Sequence, residues 1–301
     1  MALQQTSLPL PAGHLIDGYR FERQLSMGGF SIVYLATDPR GQPVAIKEYL
    51  PQSLAQRTVG LVPQIRPEHR AAYNAGMMAF YEEGIALSQL DHPNVVRVLN
   101  FLRANDTVYL VMAYERGRTL HEHIRKHPEG FSENFLRGVF LRLLSGLREV
   151  HANKMLHLDI KPSNIWLRLD ASPVLIDFGA ARHAMQQAGD IRPVYTPGYA
   201  APEQYEKNGD IGPWTDVYAV GASMYACLAA AAPQPADQRL VEDKLAPASR
   251  RWAGRYSPQL LEIIDRCLRL DPNARPASAF SLQRLLAATA TPVRRTDEPT
   301  S

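Results

Sequence analysis

Gly28 and Gly29 sit between two strand-like runs, residues 19–25 and 31–37, and this placement constrains the chain more than any other feature. A third run, VAIKEYL at 44–50, follows another glycine turn at Gly41. Strands joined by such short turns build an antiparallel sheet. A dinucleotide fingerprint needs its glycines to open a helix after a strand, so that fold class is excluded.

After the sheet the texture changes. Residues 66–90 carry Phe80, Ile85, Leu87 and Leu90 among polar positions, as a helix would, and 95–102 and 108–114 read as two more strands. Beyond Gly117 helical spacing dominates. Phe135, Val139, Leu143, Leu144, Leu147 and Val150 recur after Ser132, an N-cap signal that lacks the usual acid three residues on. Short strand-like pieces at 165–169 and 174–176 interrupt the helices, which return near 214–232, 258–268 and 277–288. The expected plan is a flexible arm at 1–16, a sheet-rich lobe at 17–114, a connection at 113–117, a helical lobe at 118–288 and a disordered tail at 289–301.

Composition narrows the function. The 301 residues are 46% hydrophobic and 21% charged, enough for one large two-lobed domain. A net charge of +3 over this length argues against nucleic acid or an anionic membrane surface as partner. Cys227 and Cys267 lie in apolar runs and exclude a disulfide scaffold or a four-thiolate zinc site. The N-terminus lacks the basic start and apolar run of a signal peptide. The longest apolar stretch, 217–232, is short for a bilayer and is closed by Pro233. No membrane span and a cytoplasmic location are expected.

Six pieces then occur in a fixed order: LSMGGFSIVY, VAIK, HLDIKPSN, DFG, APE and DPNARP. Their order and context resemble the protein-kinase signature set over roughly residues 19–288. The IKEYLP piece and the segment after it resemble those of bacterial serine/threonine kinases of the eukaryotic-like superfamily. The resemblance implies an α+β fold of two lobes, with a small antiparallel-sheet N-lobe and a larger helical C-lobe. It also implies ATP and Mg2+ as cofactors, with Mn2+ as an alternative ion, and a protein substrate bearing a serine or threonine acceptor.

The resemblance assigns roles residue by residue. Lys47 would hold the phosphates that stay behind, with Glu83 as the acid that fixes it and Glu82 as the alternative. Asp159 would orient or accept the proton of the attacking hydroxyl, Lys161 would steady developing charge, and Thr196 would brace both. Asn164 and Asp177 would hold the metal. Leu25, Val33, Ala45, Met112 and Trp166 would line the adenine slot, where Ala113 and Glu115 would offer backbone groups. Ser26, Gly28 and Gly29 would cover the phosphates. Asp216 would accept backbone hydrogens from the catalytic loop, Glu203 would pair with Arg275, and His157 and Phe178 would stack beneath Leu87 and Val98.

Three departures from the family pattern stand out. Ser26 and Ser31 replace two of the loop's usual three glycines, which implies weaker nucleotide binding. Leu158 replaces the arginine of HRD, the mark of a non-arginine HxD type, and residues 180–194 hold no serine, threonine or tyrosine. Together these imply activity without phosphorylation of the activation segment. Lys47 and Glu83 are 36 positions apart, longer than the family's usual spacing. The surplus, with Arg57, Arg66 and Arg70, reads either as a surface loop or as a regulator's docking element within 51–80. Ser163 and Thr119 stand where basic-directed relatives carry acids, so no strong demand for arginine before the target residue is expected. A pseudokinase serving as a nucleotide-binding scaffold is the alternative function, and a monomer or weak dimer the expected state.

Overall fold

A computed structural model describes residues 7–178, 195–206 and 208–288. Its first half is a six-stranded sheet of β1 (Leu15–Ile16), β2 (Tyr19–Met27), β3 (Ser31–Thr37), β4 (Pro43–Tyr49), β7 (Val98–Ala104) and β8 (Thr107–Ala113), in the order β1-β2-β3-β4-β8-β7. Every pairing in it is antiparallel. Two short strands, β5 (Ala55–Gln56) and β6 (Gln64–Ile65), pair with each other in the segment after β4.

Alternation divides the sheet into two faces. The register sets Val33 opposite Lys47 and Ala45 opposite Met112, so these four share one face. Tyr34 stands opposite Ile46 and Ile32 opposite Glu48 on the other face, and all four are buried. A sheet face of that composition has to be covered. The cover comes from residues 7–16 and from 50–65, which bring Leu10, Ile16, Leu54, Ala55 and Arg57 out of solvent.

Helix α1 (Arg70–Ser88) packs against β7 and β8. At Gly84 an added Cβ would lie 2.3 Å from Leu110 Cδ2, so glycine lets the helix close on the sheet beside Glu83. Past the connection, β9 (Gly117–Thr119), β10 (Ile165–Arg168) and β11 (Pro173–Leu175) form a small sheet beneath the first. Thr119 and Glu122 make a reciprocal capping box that starts α2 (Leu120–Lys126) directly from β9. Ser132 caps α3 (Glu133–Ala152) by accepting the Phe135 N–H at 3.2 Å. The C-lobe core forms where α3 packs on α4 (Pro213–Ala229) and on α8 (Ala279–Ala288), with α5 (Ala236–Val241), α6 (Ala248–Arg251) and α7 (Pro258–Cys267) around them. Among the described residues no helix is long and apolar enough to cross a membrane.

Several expectations need correction. Residues 7–16 are not a loose arm: Ser7, Leu10 and Ile16 are buried, and β1 pairs with β2. The segment after β4 is not simply a surface loop, because Arg57 is fully buried, although Arg66 and Arg70 are exposed. Ile85 faces solvent, and the core-facing positions of α1 include Tyr73, Phe80, Glu83 and Leu87. The strand expected from 95 begins at Val98, since Val95 and Val96 pair with Leu175 instead. The tail at 289–301 and residues 180–194 lie outside the described residues.

Candidate active site

Asp159 is the centre of a tight polar cluster. Lys161 Nζ lies 2.9 Å from Asp159 Oδ2 and donates to Thr196 Oγ1 at 2.8 Å. The Thr196 hydroxyl in turn donates to Asp159 Oδ1 at 3.0 Å. Asn164 Nδ2 donates to Asp159 Oδ2 at 2.7 Å, to the Asp159 carbonyl at 2.9 Å and to the Asp177 carbonyl at 3.3 Å. The amide nitrogen is therefore spent on the loop, while Asn164 Oδ1 accepts the Ser163 hydroxyl at 3.3 Å and keeps a second lone pair to offer.

The loop beneath this cluster is built around Asp216, which is wholly buried at the start of α4. Its two oxygens accept the N–H groups of His157 and Leu158, each at 2.8 Å, and His151 Nε2 lies 2.9 Å from Oδ2. Burial pushes the Asp216 carboxyl pKa up, but the hydrogen bonds from His151 and from the His157 N–H outweigh it, so the net shift is downward. Leu158 adopts a left-handed backbone, φ 60°, and Gln204 Nε2 donates to its carbonyl at 3.1 Å. His157 Nδ1 accepts the Asp159 N–H at 3.3 Å, so its hydrogen sits on Nε2, 3.1 Å from the Ile176 carbonyl. The His157 and Phe178 rings stack at 4.3 Å. Leu87 and Val98 are buried.

Sequence reasoning missed His151 and Gln204. His151 interrupts the apolar repeat of α3 shortly before the HLDIKPSN piece, and Gln204 follows APE directly. His151 at a core-spaced position of that repeat was an available signal, whereas Gln204, among Glu203, Tyr205 and Glu206, carried none.

On the N-lobe side, Lys47 Nζ stands 3.0 Å from Asp177 Oδ1 and 5.4 Å from the centre of the Phe80 ring. Asp177 has φ 58°. Glu83 is buried on α1 while its neighbour Glu82 is exposed, so only Glu83 faces inward. Val33, Ala45 and Met112 are partly buried on the face that carries Lys47, and Leu25 is exposed at its edge. Trp166 pairs with Thr119 across β9 and β10, and its buried indole N–H has no partner. The Ala113 N–H donates to the Arg97 carbonyl at 3.0 Å. Arg168 grips the Glu115 carboxylate through two bonds, 2.6 and 2.8 Å, and fixes the connection between the lobes. Ser26 lies in β2 opposite Val33, and Gly28 N–H donates to the Ser31 carbonyl at 2.9 Å to close the glycine turn.

Further out, Arg275 grips Glu203 at 2.7 and 2.9 Å, and Thr215 donates to the same carboxylate at 2.8 Å. This buried pair ties the segment after Thr196 to the C-lobe. The family profile described as "Protein kinase domain" matches residues 19–286.

The chain belongs to the protein kinase family.

The kinase is 34% identical to the solved structure "PpkA-294 apo form", with a TM-score of 0.84 over 92% of this chain and 99% of that one. It also superposes on the solved PknI kinase domain of Mycobacterium tuberculosis with a TM-score of 0.69 over 94% and 100%, at 21% identity, a likeness of fold. Among curated proteins it is 30% identical to "Serine/threonine-protein kinase pkn3" of Myxococcus xanthus, over 93% of this chain and 51% of that protein. It is 30% identical to "CBL-interacting protein kinase 26" of Oryza sativa subsp. japonica, over 87% and 50%. The chain thus spans about half the length of these curated relatives.

Proposed function

We propose that this kinase transfers the terminal phosphoryl group of Mg-ATP to a serine or threonine hydroxyl of a protein, with Asp159 as the base. The observation that carries this reading is the cluster in which Lys161, Thr196 and Asn164 all engage the Asp159 carboxylate. A carboxylate so held keeps one orientation toward an incoming hydroxyl, and Lys161 stands beside it to offset developing charge. Serine/threonine rather than tyrosine transfer is favoured by the Asp159, Lys161 and Asn164 spacing and by the Thr196 brace.

The residues present fit a magnesium-bound nucleotide. Asp177 provides one carboxylate and Asn164 one amide oxygen, and magnesium usually takes one or two carboxylates together with phosphate oxygens. Bound Mg-ATP supplies the phosphoryl group and the charge neutralisation that its transfer needs. Lys47 would hold the remaining phosphates, and Glu83, buried on α1, would fix the lysine. Val33, Ala45, Met112 and Trp166 would bracket the base, with the Ala113 carbonyl and the Glu115 N–H at its edge. The experiment is Mg-ATP phosphorylation by the purified chain beside Asp159→Asn.

A further inference from the structure

The segment after β4 touches both parts of the N-lobe that would meet phosphate. Leu50 N–H donates to the Phe30 carbonyl at 3.0 Å, Gln52 N–H to the Gly29 carbonyl at 2.8 Å, and Gln52 Nε2 to the Gly28 carbonyl at 3.0 Å. Three successive carbonyls of the glycine turn thus face this segment. The peptides of the turn are trans, and in a trans peptide the N–H points opposite to its carbonyl. The N–H groups of Gly29, Phe30 and Ser31 therefore point away from the segment.

Farther along, Arg57 binds Glu48 through both terminal guanidinium nitrogens, at 2.6 and 2.8 Å, with both side chains 0% exposed. Tyr34 and Tyr109 hydroxyls donate to the same carboxylate at 2.7 and 3.1 Å. Arg57 Nε donates to the Leu8 carbonyl at 2.8 Å, and Leu10 N–H to the Tyr34 hydroxyl at 3.1 Å. Glu48 directly follows Lys47 on β4, and neighbouring side chains point to opposite faces. Locking Glu48 on the outer face therefore sets the roll of the strand and the direction Lys47 takes on the inner one. A buried ion pair adds little net stability over well-packed apolar residues, so geometry is what this one supplies.

We propose that residues 50–65, braced by residues 7–10, are a positioning element for the nucleotide phosphates. Gln52 aims the glycine turn, and Arg57 acts through Glu48 on Lys47. The element offsets the loop's two missing glycines, because serines at 26 and 31 flank a turn whose carbonyls are already held. This inference rests on the nucleotide reading of the site.

The test is kinetics of the full chain with ATP and dephosphorylated casein varied separately, the Kd of Mg-ADP by calorimetry, and melting temperature. Gln52→Ala removes a single side-chain bond and should raise the ATP KM and the Mg-ADP Kd about fivefold, the worth of one hydrogen bond. Its casein KM and melting temperature should not move. Arg57→Met should raise the same two constants further and also melt earlier. Arg57→Lys keeps the charge but loses the fork, and should fall between. Unchanged ATP KM and Mg-ADP Kd in Gln52→Ala would overturn the proposal. So would Arg57 variants whose lost activity follows melting temperature at constant ATP KM. A wild type that binds Mg-ADP but transfers no phosphate defeats the proposed activity alone, and the Kd series still decides the positioning. A wild type that binds no Mg-ADP overturns both.

Discussion

The Leu158 N–H donates to Asp216 Oδ1 at 2.8 Å, and this bond holds a leucine in the left-handed conformation one residue before Asp159. That backbone costs a non-glycine residue about 1–2 kcal/mol, so the loop depends on its anchor. Asp216→Asn removes the charge and can turn a donor toward an N–H group, which should cost about 3 kcal/mol. The pH dependence has a definite sign. A carboxyl whose folded pKa is depressed contributes stability above its unfolded value, near pH 4, and loses it as pH falls through the lower folded value. Urea unfolding of wild type and variant should show the full gap at pH 7 and a shrinking gap below about pH 4. A gap that stays constant through the acid range would contradict the role given to the ionised carboxylate.

Lys47→Met should leave the fold intact and lower phosphoryl transfer roughly a hundredfold, the usual effect of removing one transition-state electrostatic partner. Its ammonium is held between Asp177 and the Phe80 ring, so the loss should fall on nucleotide handling rather than on folding. Circular dichroism and initial rates at saturating ATP check this. A variant with near-normal turnover would remove Lys47 from the site.

Regulation gives a third prediction. The hydroxyls near the end of the activation segment are Tyr195, Thr196 and Tyr199, and residues 180–194 add none. Thr196 is engaged by Lys161 and Asp159, Tyr195 packs on the Tyr205 ring at 4.8 Å, and burial pushes the Tyr199 hydroxyl up to about 12. A phosphate on Thr196 would set about two negative charges beside the Asp159 carboxylate. Protein stripped by phosphatase should therefore keep its full initial rate on an outside substrate, with any autophosphorylation mapping elsewhere. A lag removed by prior phosphorylation of Tyr195, Thr196 or Tyr199 would contradict this.

The candidate site was more legible in the sequence than its supports. The HLDIKPSN and DFG pieces carry their spacing with them, because a short loop and a short hairpin fix where Asp159, Asn164 and Asp177 can go. Glu83 was preferred to Glu82 by its place ahead of Ile85, Leu87 and Leu90 and by its nine-residue spacing to His92, and burial on α1 now distinguishes them. Arg57 could not be read as a core residue. Its charge suggests solvent, and the partner that draws it inward, Glu48, lies across a turn with no periodic pattern. Residues 7–16 failed for a similar reason: β1 has two residues, too few to show alternation, and the residues before it are held by Phe21, which bonds Gly13 and His14, and by the Tyr34 hydroxyl, which accepts the Leu10 N–H. Ile85 was misplaced because one apolar residue on α1 falls outside the stripe that meets the sheet.

The most direct test of the central claim is phosphate incorporation from labelled ATP with magnesium, comparing the wild-type chain with Asp159→Asn. The substitution is close to isosteric, so Lys161, Thr196 and Asn164 keep a partner while the basic carboxylate is lost. The account predicts incorporation on serine or threonine by the wild type and a loss of at least roughly a hundredfold in the variant, with Mg-ADP binding retained. Equal incorporation by the two proteins, or none by a wild type that binds Mg-ADP, would contradict it.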